Sequence, residues 1–275
     1  MASWSINGLT VADALGLHLL RETTWALNVT ARQSPIEIPG EHGSVHVGLP
    51  TYESGTVTMS AIAVASSEAA VEAAIAQFKA LCGSPSLVLT RTSGDVTATA
   101  AARLVSVAPA DWAPGAWSVR IVAIFAIPGV FLRGPVWTSA DIAAMWDLSA
   151  AELTGLSTST APIGDAIMRI TGPCTNPYVS DPSTGTGLSY IGTVAAGQFL
   201  FMAARPLTAR LSSSSADWAS GGTDVSAALT YPAAGRLQLW PAVQDATTRK
   251  VVISMTGSGR TTATKLTVRG QGAFL

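Results

Sequence analysis

The chain has 275 residues, 12% of them charged, and a formal net charge of -1. That length suits two ordinary domains, each with a core of its own, and the charged share is about half the usual one, so much of the surface is expected to meet other protein. No run of Lys and Arg supplies the phosphate contacts on which nucleic-acid affinity depends, which argues against DNA or RNA as a partner.

The N-terminal MASWSINGLT has neither a basic n-region nor an apolar h-region, so it does not read as a secretory signal. Its Asn7-Gly8 lies between short apolar-alternating runs and predicts a tight hairpin, because both turn positions need positive φ. Strands are expected next at Thr23–Val29, His42–Leu49 and Thr56–Ala65; in the last, Val57, Met59, Ala61 and Ala63 mark one face for a core.

Glu68–Cys82 predicts a helix with Val71, Ile75, Phe78 and Cys82 in one stripe. Ser67 is the expected N-cap, Glu68 suits the helix dipole, and Gly83 with Pro85 ends the run. Strands follow at Ser86–Arg91, Val96–Val107 and Trp117–Ile127, with turns at Ser93-Gly94-Asp95 and Ala113-Pro114-Gly115. The longest apolar stretch, Val119–Leu132, is broken by Arg120, Pro128 and Gly129 and falls short of the roughly 20 residues a spanning helix needs, so no membrane insertion is expected.

A sheet carrying one helix makes an α+β unit, and the domain boundary is placed at 134, giving domains 1–134 and 135–275. Gly134–Gly164 reads as a connector with a short helix near Ala140–Trp146. Beyond it only strands are expected: Ala166–Thr171, Tyr178–Asp181, Leu188–Val194, Gln198–Met202, Leu207–Ser212, Arg236–Trp240, Lys250–Met255 and Thr262–Arg269. Their spacing suggests an antiparallel sandwich, with one long loop over 212–234.

The motifs of chemistry are missing. His42 and His46 would lie about 13 Å apart along a strand, too far to share an ion, and no histidine follows residue 46. No serine sits on a nucleophile elbow, and neither Cys82 nor Cys174 has a histidine close in sequence. The glycines of GTGLSYIG and Gly257-Ser258-Gly259 lack the helix that a phosphate loop needs. Asp181, Asp217, Asp224 and Asp245 sit in turn contexts, where local hydrogen bonding explains them better than acid–base work. No catalytic residue, cofactor or metal ligand is therefore assigned. Trp218 in the Ser-rich loop and Trp240 at a strand end are the candidates for stacking on a sugar or a partner, although aromatics are also common at protein contacts.

In order along the chain, these features resemble the distal tail proteins of siphophages. The residues that carry the resemblance are Ser5-Ile6-Asn7-Gly8, then Ile36 to Gly43 (IEIPGEHG), the long strand and helix, Ala161 to Gly172 (APIGDAIMRITG), Thr175-Asn176-Pro177-Tyr178 and Gly185 to Gly197. The resemblance implies a mainly β protein: an N-terminal, β-barrel-like α+β domain with one helix, and a C-terminal galectin-like antiparallel β-sandwich. It also implies a homo-oligomeric ring, usually a hexamer, at the distal end of a tail tube. The tail tube protein would sit on one face and the hub, tail-associated or fibre protein on the other. Such a protein resides at the virion tail tip after assembly in the host cytoplasm. Subunit contacts are expected at Asn7, Gly8, Pro39, Gly40, His42, Gly43 and along Trp117–Ile127. The alternative is a carbohydrate-binding host-adhesion module that uses Trp218 and Trp240. Galectins bind galactosides through a cluster that includes His, so the resemblance implies the sandwich without that site.

Overall fold

A computed structural model describes residues 3–11, 17–24, 26–32, 35–37, 44–46, 49–110, 117–245 and 248–275. The chain is mainly β and divides into two compact units, one of Met1–Gly134 with Phe274–Leu275 and one of Pro135–Ala273.

In the first unit the strands are β1 (Ser3–Ile6), β2 (Leu9–Thr10), β3 (Leu17–Leu19), β4 (Ala31–Arg32), β5 (Pro35–Glu37), β6 (Ser44–His46), β7 (Thr51–Tyr52) and β8 (Gly55–Val64). Helix α1 (Glu68–Cys82) follows, then β9 (Leu87–Ser93), β10 (Val96–Ala110), β11 (Ser118–Ile127) and the start of β12 (Leu132–Thr138), a strand that contains the boundary after Gly134. β1 and β2 form the hairpin around Asn7-Gly8, with Ile6 opposite Leu9, and β1 also pairs with β9. β10 serves two sheets. Val96–Ala102 pairs with β9, while Arg103–Ala110 pairs with β11, which in turn pairs with β8. Just past the change of partner lies a bulge at Val105, where one extra residue bends and twists the strand.

Alternation on β8 and β11 turns Val57, Met59, Ala61 and Ala63 inward with Val119, Ile121, Ala123, Phe125 and Ile127, while Ser60 on the other side of β8 is also buried. Helix α1 packs on β8, β10 and β11 and buries the expected stripe of Val71, Ile75, Phe78 and Cys82. Ser67 caps it by accepting from the Ala70 N–H, and Gly83 returns its N–H to the Lys79 and Leu81 carbonyls. Trp4, Ile6, Leu89 and Phe274 complete this core.

One strand expectation differs here, that over Thr23–Val29. The partner of β8 over Ala61–Ala63 is β3, whereas in 23–29 Thr23 and Thr24 bond to Ser60 and Thr58 and Asn28 makes a single bridge to Thr56. That edge is fastened by threonine hydroxyls and isolated bonds, which carry no strand-like periodicity. For His42–Leu49, the described part is β6, paired with β5. The turn expected at 113–115 lies outside the described residues.

The second unit contains β13 (Ile142–Ala143), β14 (Leu148–Glu152), β15 (Ile167–Thr171), β16 (Cys174–Ser180), β17 (Gly187–Tyr190), β18 (Thr193–Val194) and β19 (Phe199–Ala203). It continues with β20 (Thr208–Ser212), β21 (Thr223–Asp224), β22 (Leu229–Thr230), β23 (Ala242–Val243), β24 (Arg249–Lys250), β25 (Val252–Ser258) and β26 (Lys265–Phe274). One antiparallel sheet runs β13-β26-β15-β19-β20-β21 and the other β14-β25-β16-β17-β22, with β18 beside β16. Each buries one face: Met168, Ile170, Leu200, Met202, Leu266 and Val268 in the first, Val179, Leu188, Ile253 and Met255 in the second. Two such sheets in one unit make a β-sandwich.

Five expectations are corrected in this unit. The segment expected to hold a short helix, Ala140–Trp146, instead gives β13, an edge on Leu266 and Lys265. Sheet pairing wins because Ile142 and Ala143 can satisfy their backbone there, and Trp146 is left 76% exposed. Arg236–Trp240 makes only isolated bridges, from Arg236 to Gly187 and from Leu239 to Ile163. The expected strands over Leu188–Val194 and Lys250–Met255 are each broken in two, at Ile191-Gly192 and at Val251. The 212–234 stretch is no single loop, since it carries β21, a 3-10 turn at Ser226–Ala228 and β22.

Candidate functional site

The Asn7-Gly8 turn is exposed at the tip of the β1–β2 hairpin, with Leu9 beside it 49% exposed. Both residues adopt positive φ, 50° and 81°. Asn7 is tied to β9 twice: its N–H donates to the Val88 carbonyl at 2.8 Å and its Oδ1 accepts from the Val88 N–H at 2.8 Å. Asparagine supplies both the left-handed turn and the link to the next strand, so the hairpin is held at a defined place on the sheet. Pro39, Gly40, His42 and Gly43 lie outside the described residues.

On β11 the residues opposite the core, Val122, Ile124 and Ala126, are half-buried and apolar. Trp117 and Val64 stand at one end of the β8–β11 pair, 67% and 58% exposed, where the Trp117 carbonyl accepts from the Ala65 N–H. These apolar positions share the outward face with Ser118 and Arg120 on β11 and with Thr56 and Thr58 on β8, a mixed face of the kind that protein contacts use.

Trp218 is the centre of a cluster on the first sheet of the second unit. Its ring meets Phe201 edge-on at 5.5 Å, and the guanidinium groups of Arg169 and Arg269 lie 5.2 Å and 5.8 Å from its centroid. By strand parity Phe201 faces away from Leu200 and Met202, yet it is only 4% exposed, because the Ser-rich segment lies over it. Arg169 fastens that segment further by donating from Nη1 to the Ser215 carbonyl at 2.9 Å.

The same arginine donates from Nη2 to Asp141 Oδ1 and to Thr267 Oγ1, both at 2.9 Å. Asp141 also accepts from the Thr267 hydroxyl at 2.8 Å and faces Lys265 Nζ at 3.4 Å. The Thr267 hydrogen bond, with those cations, holds the Asp141 carboxyl below the usual range. Trp240 is half-buried. Its N–H donates to Asp181 Oδ2 at 2.7 Å, and its indole N–H is buried, so the edge that could bind a sugar hydroxyl faces inward.

Each of the four turn aspartates accepts from a residue close in sequence, and Asp181 also reaches the Trp240 N–H. Asp181 accepts from the Ser183 N–H and hydroxyl, Asp217 from the Ser212 hydroxyl, Asp224 from Ser226 and Asp245 from Thr248. The Ser226 bonds lower the Asp224 carboxyl. Burial pushes the Cys82 thiol up to about 12 and raises that of Cys174 as well, so neither is poised as a nucleophile. Among the described residues no group of three or more His, Cys, Asp or Glu could hold a metal ion, and no helix is long and apolar enough to cross a membrane.

Neither a family model nor a curated protein matches the chain. Solved structures do. Over 100% of both chains, at 14% identity and a TM-score of 0.62, it superposes on SPP1 Dit, described as a paradigm of the hub adsorption apparatus in phages that infect Gram-positive bacteria. The chain has the fold of SPP1 Dit. Matches to the phage P2 baseplate in its activated conformation, with calcium and with strontium, also span 100% of both chains, at 10% and 9% identity and TM-scores of 0.42 and 0.41. The Dit likeness agrees with the mainly β phage-tail fold that the sequence resemblance implies. Sequence reasoning named Trp218 and Trp240 but missed Arg169, Arg269 and Asp141, which meet Trp218 or one another only across strands.

Proposed function

We propose that this chain is a structural protein of a phage tail, a ring adaptor at the distal end of the tail tube that links the tube to the hub, fibre or baseplate. The observation that carries this reading is the likeness to SPP1 Dit over the full length of both chains. In this reading residues 1–134 form the ring, usually a hexamer, and residues 135–275 are a galectin-like sandwich. The tube protein meets one face of the ring and the hub or fibre protein the other. The chain resides at the virion tail tip, is assembled in the host cytoplasm, and needs neither cofactor nor catalytic residue.

The low charge supports it, because a heterologous ring covers two different patches on every subunit. So do Val122, Ile124 and Ala126 on the outward side of β11 and the exposed Trp117. The engagement of Trp218 with Phe201 and two arginines weighs against a sugar-stacking platform. Immunogold labelling of particles carrying the chain tests the reading. Gold confined to the tail end remote from the capsid is expected, and gold on capsids or along the tube would overturn it.

A further inference from the structure

Asn-Gly is the sequence at which the backbone most readily attacks a side-chain amide, since glycine offers its nitrogen no shielding side chain. Here that pair stands exposed, and a Cβ at Gly8 would meet nothing within 4 Å, so water reaches the turn freely. The native geometry nevertheless works against the reaction. The Asn7 amide is drawn across to β9 by the Val88 N–H at 2.8 Å, its backbone N–H is tied to the same residue, and Ile6 pairs with Leu9. Cyclisation needs the Asn7 side-chain carbon to swing onto the Gly8 nitrogen, which breaks the Val88 bond and the left-handed turn together.

We propose that Asn7 is a site of spontaneous deamidation that the native hairpin holds closed, so that isoaspartate at position 7 marks chains in which the hairpin has opened. In the reaction the Gly8 nitrogen bonds to the Asn7 Cγ, loses its proton to solvent, and the Cγ–Nδ2 bond breaks to release ammonia. Water then opens the succinimide at either carbonyl, giving aspartate or isoaspartate. The two products differ in consequence. Aspartate keeps an oxygen for the Val88 N–H and fits the same turn. Isoaspartate adds a methylene to the main chain of a two-residue turn, which the Ile6–Leu9 pairing cannot absorb.

The test is peptide mapping by mass spectrometry after incubation at mildly alkaline pH, on native chain and on chain in concentrated urea. Ammonia loss at Asn7 is expected at least about tenfold faster in urea, with the rate in native chain following local opening of the hairpin. Equal rates would overturn the proposal, as would no isoaspartate at position 7 in the unfolded chain. The variant Asn7→Asp tests the product argument: a transition temperature unchanged from the parent supports it, and loss of the folded first unit contradicts it.

Discussion

Replacing Trp218 by alanine should release the Ser-rich segment from its sheet. The edge-on contact with Phe201 is worth about 1 kcal/mol, and each guanidinium over the ring about 0.5 kcal/mol more. The sum is about 2 kcal/mol, and for a unit of this size that lowers the midpoint by roughly 6 °C. Scanning calorimetry of Trp218→Ala reads it directly, and limited proteolysis should gain a cut between Ser213 and Gly222. Trp218→Phe keeps a ring against Phe201 and should recover about half of the loss. A midpoint within about 1 °C of the parent, with no new cut, would show that the segment is held by something other than this ring.

Further outcomes follow from other sites. A Cβ at Gly155 would stand 2.1 Å from the Trp137 indole, so Gly155→Ala should destabilise the second unit by about 2 to 3 kcal/mol in urea titrations. Asp141 titrates below its ordinary 3.8 in the folded chain, so its contribution is present above that value and is lost as pH falls through the lower, folded one. Asp141→Asn should therefore lower stability most near neutral pH and flatten its fall below 3.8, the two chains converging as the pH drops through the folded value, by circular dichroism across that range. Cys82, with its thiol near 12, and Cys174, also raised, should stay unreactive to a thiol reagent at neutral pH until the chain unfolds.

Helix α1 and its buried stripe were legible because fifteen residues of one periodicity outweigh any local exception. The Asn7-Gly8 hairpin and the alternation of β8 were equally readable, each from chemistry within a few neighbouring residues. Strands of two residues, such as β13, β21 and β22, carry no period to read and exist only because a neighbouring strand satisfies them. The cluster around Trp218 was half legible. The tryptophan stood out in a polar segment, but Arg169, Phe201 and Arg269 come from separate strands and meet it only after folding.

The central claim is that the chain assembles as a tail-tip ring. Size-exclusion chromatography with light scattering, followed by negative-stain imaging of the same fractions, tests it most directly. A closed ring of about six copies around a central channel is the predicted result. A monomer at every concentration that also fails to close on purified tail tubes would contradict it.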